Sequence, residues 1–361
     1  MNAVTPMEID TGVSALPLHG GPDAGGVPLH DFSTNSNACG PCPQALRSVQ
    51  AADASRYPDP AYTALRAQLA GLHAVDPGRI VLAGSASEFI HRATAWAARH
   101  GATCVAVPAH SYGDYAHAAQ AWGLQVLRAA PGGLRPAAGL HWACEPSSPL
   151  GQVDPALALW HAQGCGAGAL QVLDCAYAPL RLDGHPTHAP PSAWQLWTPN
   201  KALGLTGVRA AYAIAPAHET PRRIAALQGM APSWPVGAHG VAMLTAWAQP
   251  AVQQWLQHSL DTLREWKSAQ QALCTALGWR VVPGSLANYV VAQWPFAHAE
   301  QSERVLHELR AQGIKLRDCN SFGLPGHVRL GVLAPAAQQA LARAVHDVQR
   351  AAATMPDPSN P

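Results

Sequence analysis

Lysine is rare in this chain of 361 residues, and this rarity makes Lys201 a candidate for a chemical role. The only other lysines are Lys267 and Lys315, and arginine carries nearly all the remaining positive charge. Lys201 lies in the stretch WTPNKALGLTGVRAAYAI, residues 197–214, between a Pro-Asn pair and a run of small apolar residues. A lysine amine can form a Schiff base with a carbonyl compound. We therefore interpret Lys201 as a residue kept for its amine.

Two stretches of the sequence could together bind a phosphate group. In LAGSASEFI, residues 82–90, a predicted strand turns through Gly84 into a predicted helix, and free backbone amides at a helix N-terminus bind anions. In the lysine stretch, Thr198 adds a hydroxyl and Arg209 a guanidinium. Gly and Ser also occur at strand-to-helix turns that bind nothing, so the first stretch alone is weak evidence.

A carboxylate is predicted at the end of a buried strand. The run LQVLD ends at Asp174, and parallel sheets present ligand-binding groups at the carboxyl ends of their strands. Taken alone, Asp174 is better interpreted as a solvated loop aspartate, because carboxylates at strand ends are common in α/β folds. A Schiff-base lysine, a phosphate site and a carboxylate that can pair with a pyridinium nitrogen are together what pyridoxal 5'-phosphate (PLP) requires. The sequence thus indicates a PLP site.

These residues lie within an alternation of predicted strands and helices. Strands such as RIVLAG and TCVAVP alternate with helical patterns from residue 61 to residue 215, which favours an α/β fold with a mostly parallel sheet covered by helices on both faces. A long helical pattern at 237–278, interrupted at Pro250, leads to a smaller α+β part. The predicted division is an N-terminal arm at 1–45, a large domain at 46–250, a small C-terminal domain at 251–352 and a disordered tail at 353–361.

Composition excludes some classes of function. The formal net charge is +1, so neither a nucleic acid nor a membrane surface is an expected partner. No basic-then-apolar leader and no membrane-spanning apolar run occurs, so we expect a cytoplasmic protein. The eight cysteines are scattered through apolar segments, and the pair Cys39 and Cys42 has no further ligands at metal-binding spacing. No metal site is predicted.

The chain also resembles a known enzyme family over nearly its whole length. The lysine stretch is similar to the lysine motif of the fold-type I, class I and II PLP-dependent aminotransferases. Within that family the chain resembles the histidinol-phosphate aminotransferases and, most of all, the threonine-phosphate decarboxylases of cobalamin synthesis. The supporting motifs are LHGG at 18–21, DFSTNSNACGP at 31–41, RYPDPAYTALRAQLA at 56–70, CEPSSPLG at 144–151, LDCAY at 173–177, LANYVV at 286–291, LRDC at 316–319 and HVRLGV at 327–332.

The resemblance implies a role for each residue of a PLP site. Lys201 would form the Schiff base and carry the proton at the substrate Cα, Asp174 would keep the pyridine nitrogen protonated, and Tyr177 would hydrogen-bond the phenolate oxygen. Tyr112 would stack on the cofactor ring, with His110 as the alternative; Tyr112 could also be a structural core tyrosine. The cofactor phosphate would be bound by Ala86, Ser87, Thr198, Arg209 and, from a second subunit, Tyr57.

The same resemblance implies a substrate site and a homodimer. Arg329 would bind the substrate α-carboxylate through a bidentate fork, and a second anion, a phosphate, would be bound by Arg317, His19 and Asn35. An arginine in a strand is usually an edge or surface residue, but two such strands beside a site that needs two anion contacts favour the functional interpretation. A homodimer follows if Tyr57 reaches the neighbouring subunit; otherwise Tyr57 is a turn residue packed before a proline.

The sequence departs from the family motif at Ser148. The family has an asparagine there that contacts the phenolate oxygen of PLP, and Ser147 replaces the asparagine before it. Because serine is shorter, the contact is either lost or bridged by water. Ser148 is therefore the position at which the tuning of the cofactor is expected to differ.

Three functions are compatible with this pattern. The HGG and DFS motifs favour decarboxylation of L-threonine O-3-phosphate to (R)-1-amino-2-propanol O-2-phosphate in cobalamin biosynthesis. The first alternative is an aminotransferase that acts on histidinol phosphate with 2-oxoglutarate and glutamate. The second is a PLP-fold binding protein without turnover, against which the joint presence of Lys201, Asp174 and Arg329 argues.

Overall fold

The structure, a computed structural model, describes residues 20–129, 138–163, 168–296 and 298–354. Its helices are α1 Pro43–Gln50, α2 Thr63–His73, α3 Ala86–Arg99, α4 Gly113–Ala121, α5 Ala156–Gln163, α6 Pro221–Gly229, α7 Ala238–Trp247, α8 Pro250–Ala276, α9 Ala299–Ala311 and α10 Pro335–Thr354. Its strands are β1 His30–Asp31, β2 Ile80–Ala83, β3 Cys104–Val107, β4 Gln125–Arg128, β5 Leu140–Cys144, β6 Leu170–Asp174, β7 Trp194–Trp197, β8 Ala211–Ile214, β9 Arg280–Val281, β10 Tyr289–Gln293, β11 Ile314–Lys315, β12 Arg317–Asp318 and β13 His327–Gly331.

A seven-stranded sheet forms the larger part of the fold. Its strand order is β2-β8-β7-β6-β5-β3-β4, and every neighbouring pair is parallel except the two pairs that include β8. In β2, Ile80 and Leu82 pack with residues of α1, α2, α7 and α8, whereas Val81 and Ala83 pack on the opposite face with α3, α4 and α6. Since successive side chains of a strand face opposite sides, helices cover both faces. The predicted α/β fold class is confirmed.

A second, smaller sheet lies in the C-terminal part of the chain. Its order is β12-β13-β10-β9, all pairs are antiparallel, and its apolar core includes residues of α9 and α10. The arm joins this part through β1, which pairs in parallel with β11. This arrangement matches the α+β pattern predicted for the last hundred residues. The domain boundaries at 45, 250 and 352 stay predictions; α10 includes the first two residues of the predicted tail, and 355–361 lie outside the described residues.

Two helices differ from the elements predicted from the sequence, and one predicted helix boundary is present. Helix α1 begins inside the segment that was expected to be extended, and its first residue, Pro43, suits that position because proline has no amide to leave unpaired. Helix α6 was not predicted because only Ile224 and Leu227 are buried along it. The predicted interruption at Pro250 is present, since α7 ends at Trp247 and Pro250 begins α8. None of the helices in the described ranges is long and apolar enough to cross a membrane.

Candidate active site

A cavity of about 560 Å³ lies where strands β6 and β7 end, between the large sheet, the small sheet and the arm. It brings together side chains that are far apart in the sequence. The predicted site residues that line it are Asn35, Ala86, Ser87, Tyr112, Ser148, Asp174, Tyr177, Thr198, Lys201, Arg209, Arg317 and Arg329.

Lys201 lies in the turn that follows β7, and Asn200 fixes the shape of this turn. The Asn200 Oδ1 accepts hydrogen bonds from the Thr198 hydroxyl at 2.8 Å and from the Lys201 backbone amide at 2.9 Å. The Lys201 amine lies 5.3 Å from the ring centroid of Tyr177. The Lys201 carbonyl oxygen accepts a bond from the backbone amide of Asn37 at 2.9 Å, which ties the arm to the lysine turn.

The N-terminus of α3 supplies one end of the cavity. Ser85 caps the helix by accepting a hydrogen bond from the Glu88 amide at 3.1 Å, and the Glu88 carboxylate in turn accepts one from the Gly84 amide. This pair is a variant of the capping box in which the glutamate accepts from the amide before the N-cap, and the first-turn residues Ala86 and Ser87 lie at the cavity wall. Arg209, which precedes β8, lines the same cavity. Helix-end amides and a guanidinium are groups that bind a phosphate.

Asp174 ends β6 and is almost fully buried, with 4% of its surface exposed. The Tyr115 hydroxyl donates to its Oδ2 at 2.6 Å, and the Ala176 amide donates to its Oδ1 at 2.9 Å. Burial raises the pKa of the Asp174 carboxyl, while these two donors act in the opposite direction. The site thus holds a carboxyl group in apolar surroundings, with donors that favour its charged form.

The arm contributes Asn35 and is fixed in place by Asn288. Asn288 Nδ2 donates to the carbonyl oxygens of Asn35 at 3.3 Å and of Ser36 at 3.1 Å. The Asn35 Nδ2 donates to the Tyr177 hydroxyl, and the Asn35 Oδ1 is buried without a hydrogen-bond partner among the described residues. A buried amide oxygen without a partner is costly, so this position is suited to a ligand that donates a hydrogen bond.

Arg317 and Arg329 are directly opposite each other on β12 and β13. Arg317 donates to the Ser321 hydroxyl at 2.7 Å, and burial together with the charge of Arg329 lowers the pKa of Arg317. Arg329 donates to the Ser148 hydroxyl at 3.3 Å and to the Ser33 carbonyl oxygen at 3.2 Å, and its buried Nε has no partner among the described residues. Two buried guanidiniums at one cavity form a strongly anion-selective region.

Two predicted residues lie away from the cavity, and a third falls outside the part of the chain that the structure describes. Tyr57 is 78% exposed and stacks on Trp234, with ring centroids 4.3 Å apart, so it takes no part in the cavity of its own chain. His19 lies outside the described residues. His110 donates from Nδ1 to the Phe322 carbonyl oxygen at 2.7 Å and does not line the cavity, whereas Tyr112 does.

Several residues that contact the site were not predicted from the sequence. Asn200 and Tyr115 had local signals, because Asn200 directly precedes the lysine and Tyr115 lies one helical turn after Tyr112. The other unpredicted lining residues have no such signal, because their place depends on how distant elements pack; they include His117, Gln120, Arg128, Ser321 and Phe322.

The residues of the cavity fit PLP. The fit rests on the donor set, in which a lysine amine, a buried carboxylate and a helix N-terminus with a nearby guanidinium surround one space. A metal ion is not suggested, because the described parts of the chain contain no cluster of three or more His, Cys, Asp or Glu side chains arranged to bind one.

Comparison with known proteins gives the same family. The family model described as aminotransferase class I and II matches residues 142–348. A histidinol-phosphate aminotransferase of Jannaschia sp. (strain CCS1) is 27% identical over 325 residues, which cover 84% of this chain and 87% of that protein. A second, of Ruegeria pomeroyi, is 27% identical over 376 residues, covering 97% of this chain and 98% of that protein.

Solved structures share the fold at lower identity. Histidinol-phosphate aminotransferase from Sinorhizobium meliloti, in complex with PLP, has a TM-score of 0.78 and 20% identity, and the match covers 96% of this chain and 99% of that chain. L-threonine-O-3-phosphate decarboxylase from Porphyromonas gingivalis has a TM-score of 0.64 and 20% identity, covering 84% of this chain and 92% of that chain.

Proposed function

The chain belongs to the class I and II aminotransferases, a family of PLP-dependent enzymes, and from this premise we propose that it decarboxylates L-threonine O-3-phosphate. The product would be (R)-1-amino-2-propanol O-2-phosphate, an intermediate of cobalamin synthesis. Lys201 would bind PLP covalently. The observation that carries the choice of a substrate with two anionic groups is the pair of buried arginines, Arg317 and Arg329, at one cavity.

Two buried guanidiniums are costly unless a ligand neutralises them. Taking a charge out of water costs several kcal/mol, and the cost is recovered only when an opposite charge with good hydrogen-bond geometry is present. Arg317 donates to the Ser321 hydroxyl and Arg329 to the Ser148 hydroxyl, and both guanidiniums line the cavity. A substrate with a carboxylate and a phosphate would supply two anions at once. Threonine phosphate has both groups.

The glycines of the arm support a decarboxylase over an aminotransferase. A Cβ built on Gly20 would lie 2.2 Å from the Ser33 carbonyl oxygen, so only glycine fits there, and the Gly21 amide donates to the Ser33 hydroxyl at 2.9 Å. Gly20 and Ser33 both line the cavity. The two glycines of the HGG motif, which resembles that of the decarboxylases, thus pack against Ser33 at the cavity.

The roles of the chain's own residues follow from their positions. PLP, when bound, supplies a conjugated ring that withdraws electrons from the substrate Cα. Lys201 would donate a proton to that carbon in place of the carbon dioxide that leaves, and Asp174 would hold a proton on the ring nitrogen. Arg329 would orient the carboxylate, and this orientation decides which bond to Cα is broken.

An aminotransferase is the second candidate. It is supported by the relatives reported above, which are histidinol-phosphate aminotransferases. Both reactions use the same lysine and the same two anion contacts, since 2-oxoglutarate also has two anionic groups. The two candidates differ in whether a keto acid is needed.

One experiment separates the two reactions. The purified protein, loaded with PLP, is incubated with L-threonine phosphate alone and, separately, with histidinol phosphate and 2-oxoglutarate. We expect carbon dioxide from the first mixture without any keto acid, and no glutamate from the second. Glutamate formation without carbon dioxide release would overturn the decarboxylase and support the aminotransferase.

We also propose a homodimer in which Tyr57 reaches the site of the second subunit. Tyr57 and Trp234 are both exposed large aromatic side chains and they stack on each other. Exposed aromatic pairs are typical of protein interfaces.

A further inference from the structure

A buried tyrosine to which the family resemblance assigns no role contacts Asp174. Tyr115 lies on α4, and its hydroxyl donates to the Asp174 Oδ2 at 2.6 Å. Its ring is fully buried and stacks on Trp142, with centroids 4.7 Å apart and planes inclined by 5°. Trp142 belongs to β5, the strand next to β6, which ends at Asp174. The core of the sheet therefore fixes the position of the Tyr115 hydroxyl.

The Tyr115 hydroxyl meets a need that burial creates. A buried carboxylate is held in its charged form only by donors or positive charges. Among the described residues, Asp174 has one side-chain donor, Tyr115, and one backbone donor, the Ala176 amide. Any residue at position 176 except proline supplies that amide, so the side chain at 115 is the variable contact. The titratable groups that interact with Asp174 from the surrounding elements include Tyr112, Asp114, Tyr115, Cys144, Cys175, Lys201 and Tyr289.

Tyr115 contacts both Asp174 and Tyr112, the two residues proposed to hold the cofactor ring. The rings of Tyr112 and Tyr115 meet edge to face, with centroids 5.8 Å apart. Tyr112 lines the cavity, where it is proposed to stack on the cofactor ring. The start of α4 thus carries one side chain that lines the cavity and another that contacts Asp174, the carboxylate that would pair with the ring nitrogen.

We propose that Tyr115 is a positioning residue that keeps Asp174 ionised and aligned toward the pyridine nitrogen of PLP, an inference that rests on the proposed PLP site. Tyr115 touches neither substrate nor cofactor in this arrangement and acts through Asp174. Without its hydroxyl, Asp174 takes up a proton more readily, and a neutral carboxyl group holds a protonated ring nitrogen poorly.

The test is Tyr115→Phe, which keeps the ring stacked on Trp142 and removes only the hydroxyl. We expect PLP to bind about 10- to 100-fold more weakly, because the lost hydrogen bond is to a charged group. The pH midpoint of the bound-PLP absorbance should move, and kcat should fall while KM for threonine phosphate stays near its original value. The matched control is Tyr212→Phe, an equally buried tyrosine whose hydroxyl contacts His73 and Trp247. It should leave PLP affinity and the absorbance midpoint unchanged.

A double-variant comparison tests whether Tyr115 acts through Asp174. Tyr115→Phe is introduced into the original protein and into Asp174→Asn, and the PLP dissociation constant is measured for all four proteins. The effect should be present in the first background and absent in the second. An effect of equal size in both backgrounds, or none in the first, overturns the inference.

These results are distinguishable from a failure of the proposed reaction. PLP affinity and absorbance are measured without substrate. A protein that binds PLP but does not decarboxylate threonine phosphate would therefore contradict the proposed reaction and not the proposed role of Tyr115. If Tyr115→Phe does not fold, 3-fluorotyrosine at position 115 keeps the ring and makes the hydroxyl a stronger donor. The absorbance midpoint should then shift, and an unchanged midpoint overturns the inference.

Discussion

Asn35 Nδ2 donates a hydrogen bond to the Tyr177 hydroxyl at 3.3 Å, although the two residues are 142 positions apart in the sequence. The resemblance assigns Tyr177 to the phenolate oxygen of PLP. The asparagine that the family uses near this oxygen is Ser148 here, and the Ser148 hydroxyl accepts a bond from Arg329 instead. The arm therefore brings an amide to the side of the cavity where Ser148 lacks one.

The first prediction is that Asn35→Asp lowers the affinity for PLP and shifts the pH midpoint of its absorbance. Aspartate has the same shape but replaces the donor toward Tyr177 with a negative charge. The loss of a hydrogen bond of this type corresponds to about 1 kcal/mol, or a severalfold weaker binding. Titration of the apoprotein with PLP measures the effect. Asn35→Ala should behave similarly, and equal affinity in both variants and the original protein would contradict the prediction.

The second prediction is that Lys201→Ala abolishes covalent attachment of PLP. The absorbance of PLP bound to lysine should disappear, and reduction with borohydride should no longer fix the cofactor to the protein. Because the chain has only three lysines, mass spectrometry of the reduced protein identifies the attachment site directly. The control is Lys315→Arg, which keeps a positive charge beside Asp23 and should still be labelled at Lys201. Labelling of Lys201→Ala at either remaining lysine would show the assignment to be wrong.

The third prediction concerns the phosphate of the substrate. Arg317→Gln should raise KM for threonine phosphate about 10- to 100-fold, because it removes charge-assisted hydrogen bonds of about 1.5–3 kcal/mol. It should leave the much weaker binding of free threonine unchanged. Steady-state kinetics and competition by free threonine measure the two effects. The control is Arg304→Gln on the exposed face of α9. Equal losses for both ligands would place Arg317 at the carboxylate instead.

The fourth prediction tests whether two subunits share one site. Lys201→Ala and Tyr57→Ala proteins are each expected to have low activity, the second because PLP is held less tightly. In a mixed dimer, one site contains an intact Lys201 and an intact Tyr57 from different subunits. Unfolding and refolding the two variants together should therefore restore activity that neither has alone. If the mixture is no more active than its parts, Tyr57 acts within its own chain or not at all.

The fifth prediction is a pH-dependent stability set by His73. Burial lowers the pKa of His73 from 6.5 to about 4, and its ring nitrogen lies 2.7 Å from the Tyr212 hydroxyl. Below pH 6.5 the unfolded chain takes up a proton at His73 that the folded chain does not, so the unfolding free energy falls as the pH falls toward 4. Between pH 7.5 and pH 5 this loss is about 2 kcal/mol.

The measurement for His73 is urea unfolding at the two pH values. His73→Gln cannot titrate, so its unfolding free energy should fall less between pH 7.5 and pH 5 than that of the original protein. Other groups titrate equally in both proteins and cancel in the comparison. The same pH dependence in both proteins would show that His73 does not contribute.

The sequence was sufficient for the strands of the large sheet, but not for the two-residue strands β1 and β9. Asp174 and Lys201 lie where the predicted strands end, because the carboxyl ends of parallel strands meet at one edge of the sheet. The strand patterns were clear because buried strands of a sheet covered on both faces are nearly continuous apolar runs. Helix α6 had a weaker pattern, because few of its residues are buried.

The contacts between distant segments could not be predicted in the same way. Nothing near Asn35 in the sequence indicates Tyr177, and nothing near Ser148 indicates Arg329. These pairs depend on how the arm and the small sheet lie against the large sheet. Tyr115 illustrates an intermediate case: its helical spacing from Tyr112 was visible, but its contact with Asp174 depends on the packing of α4 over the sheet.

The single reversed strand of the large sheet, β8, constrains the length of the connection between β7 and β8, which contains Lys201 and Arg209. Because β8 runs against its neighbours, its first residues lie at the same edge as the last residues of β7, and residues 198–210 are enough to connect them. A parallel strand would have begun at the opposite edge of the sheet. The amine of Lys201 and the guanidinium of Arg209 therefore belong to one hairpin connection. An insertion or deletion between them should change the distance between the Lys201 amine and the Arg209 guanidinium. We therefore expect the protein to tolerate little change in the length of this connection.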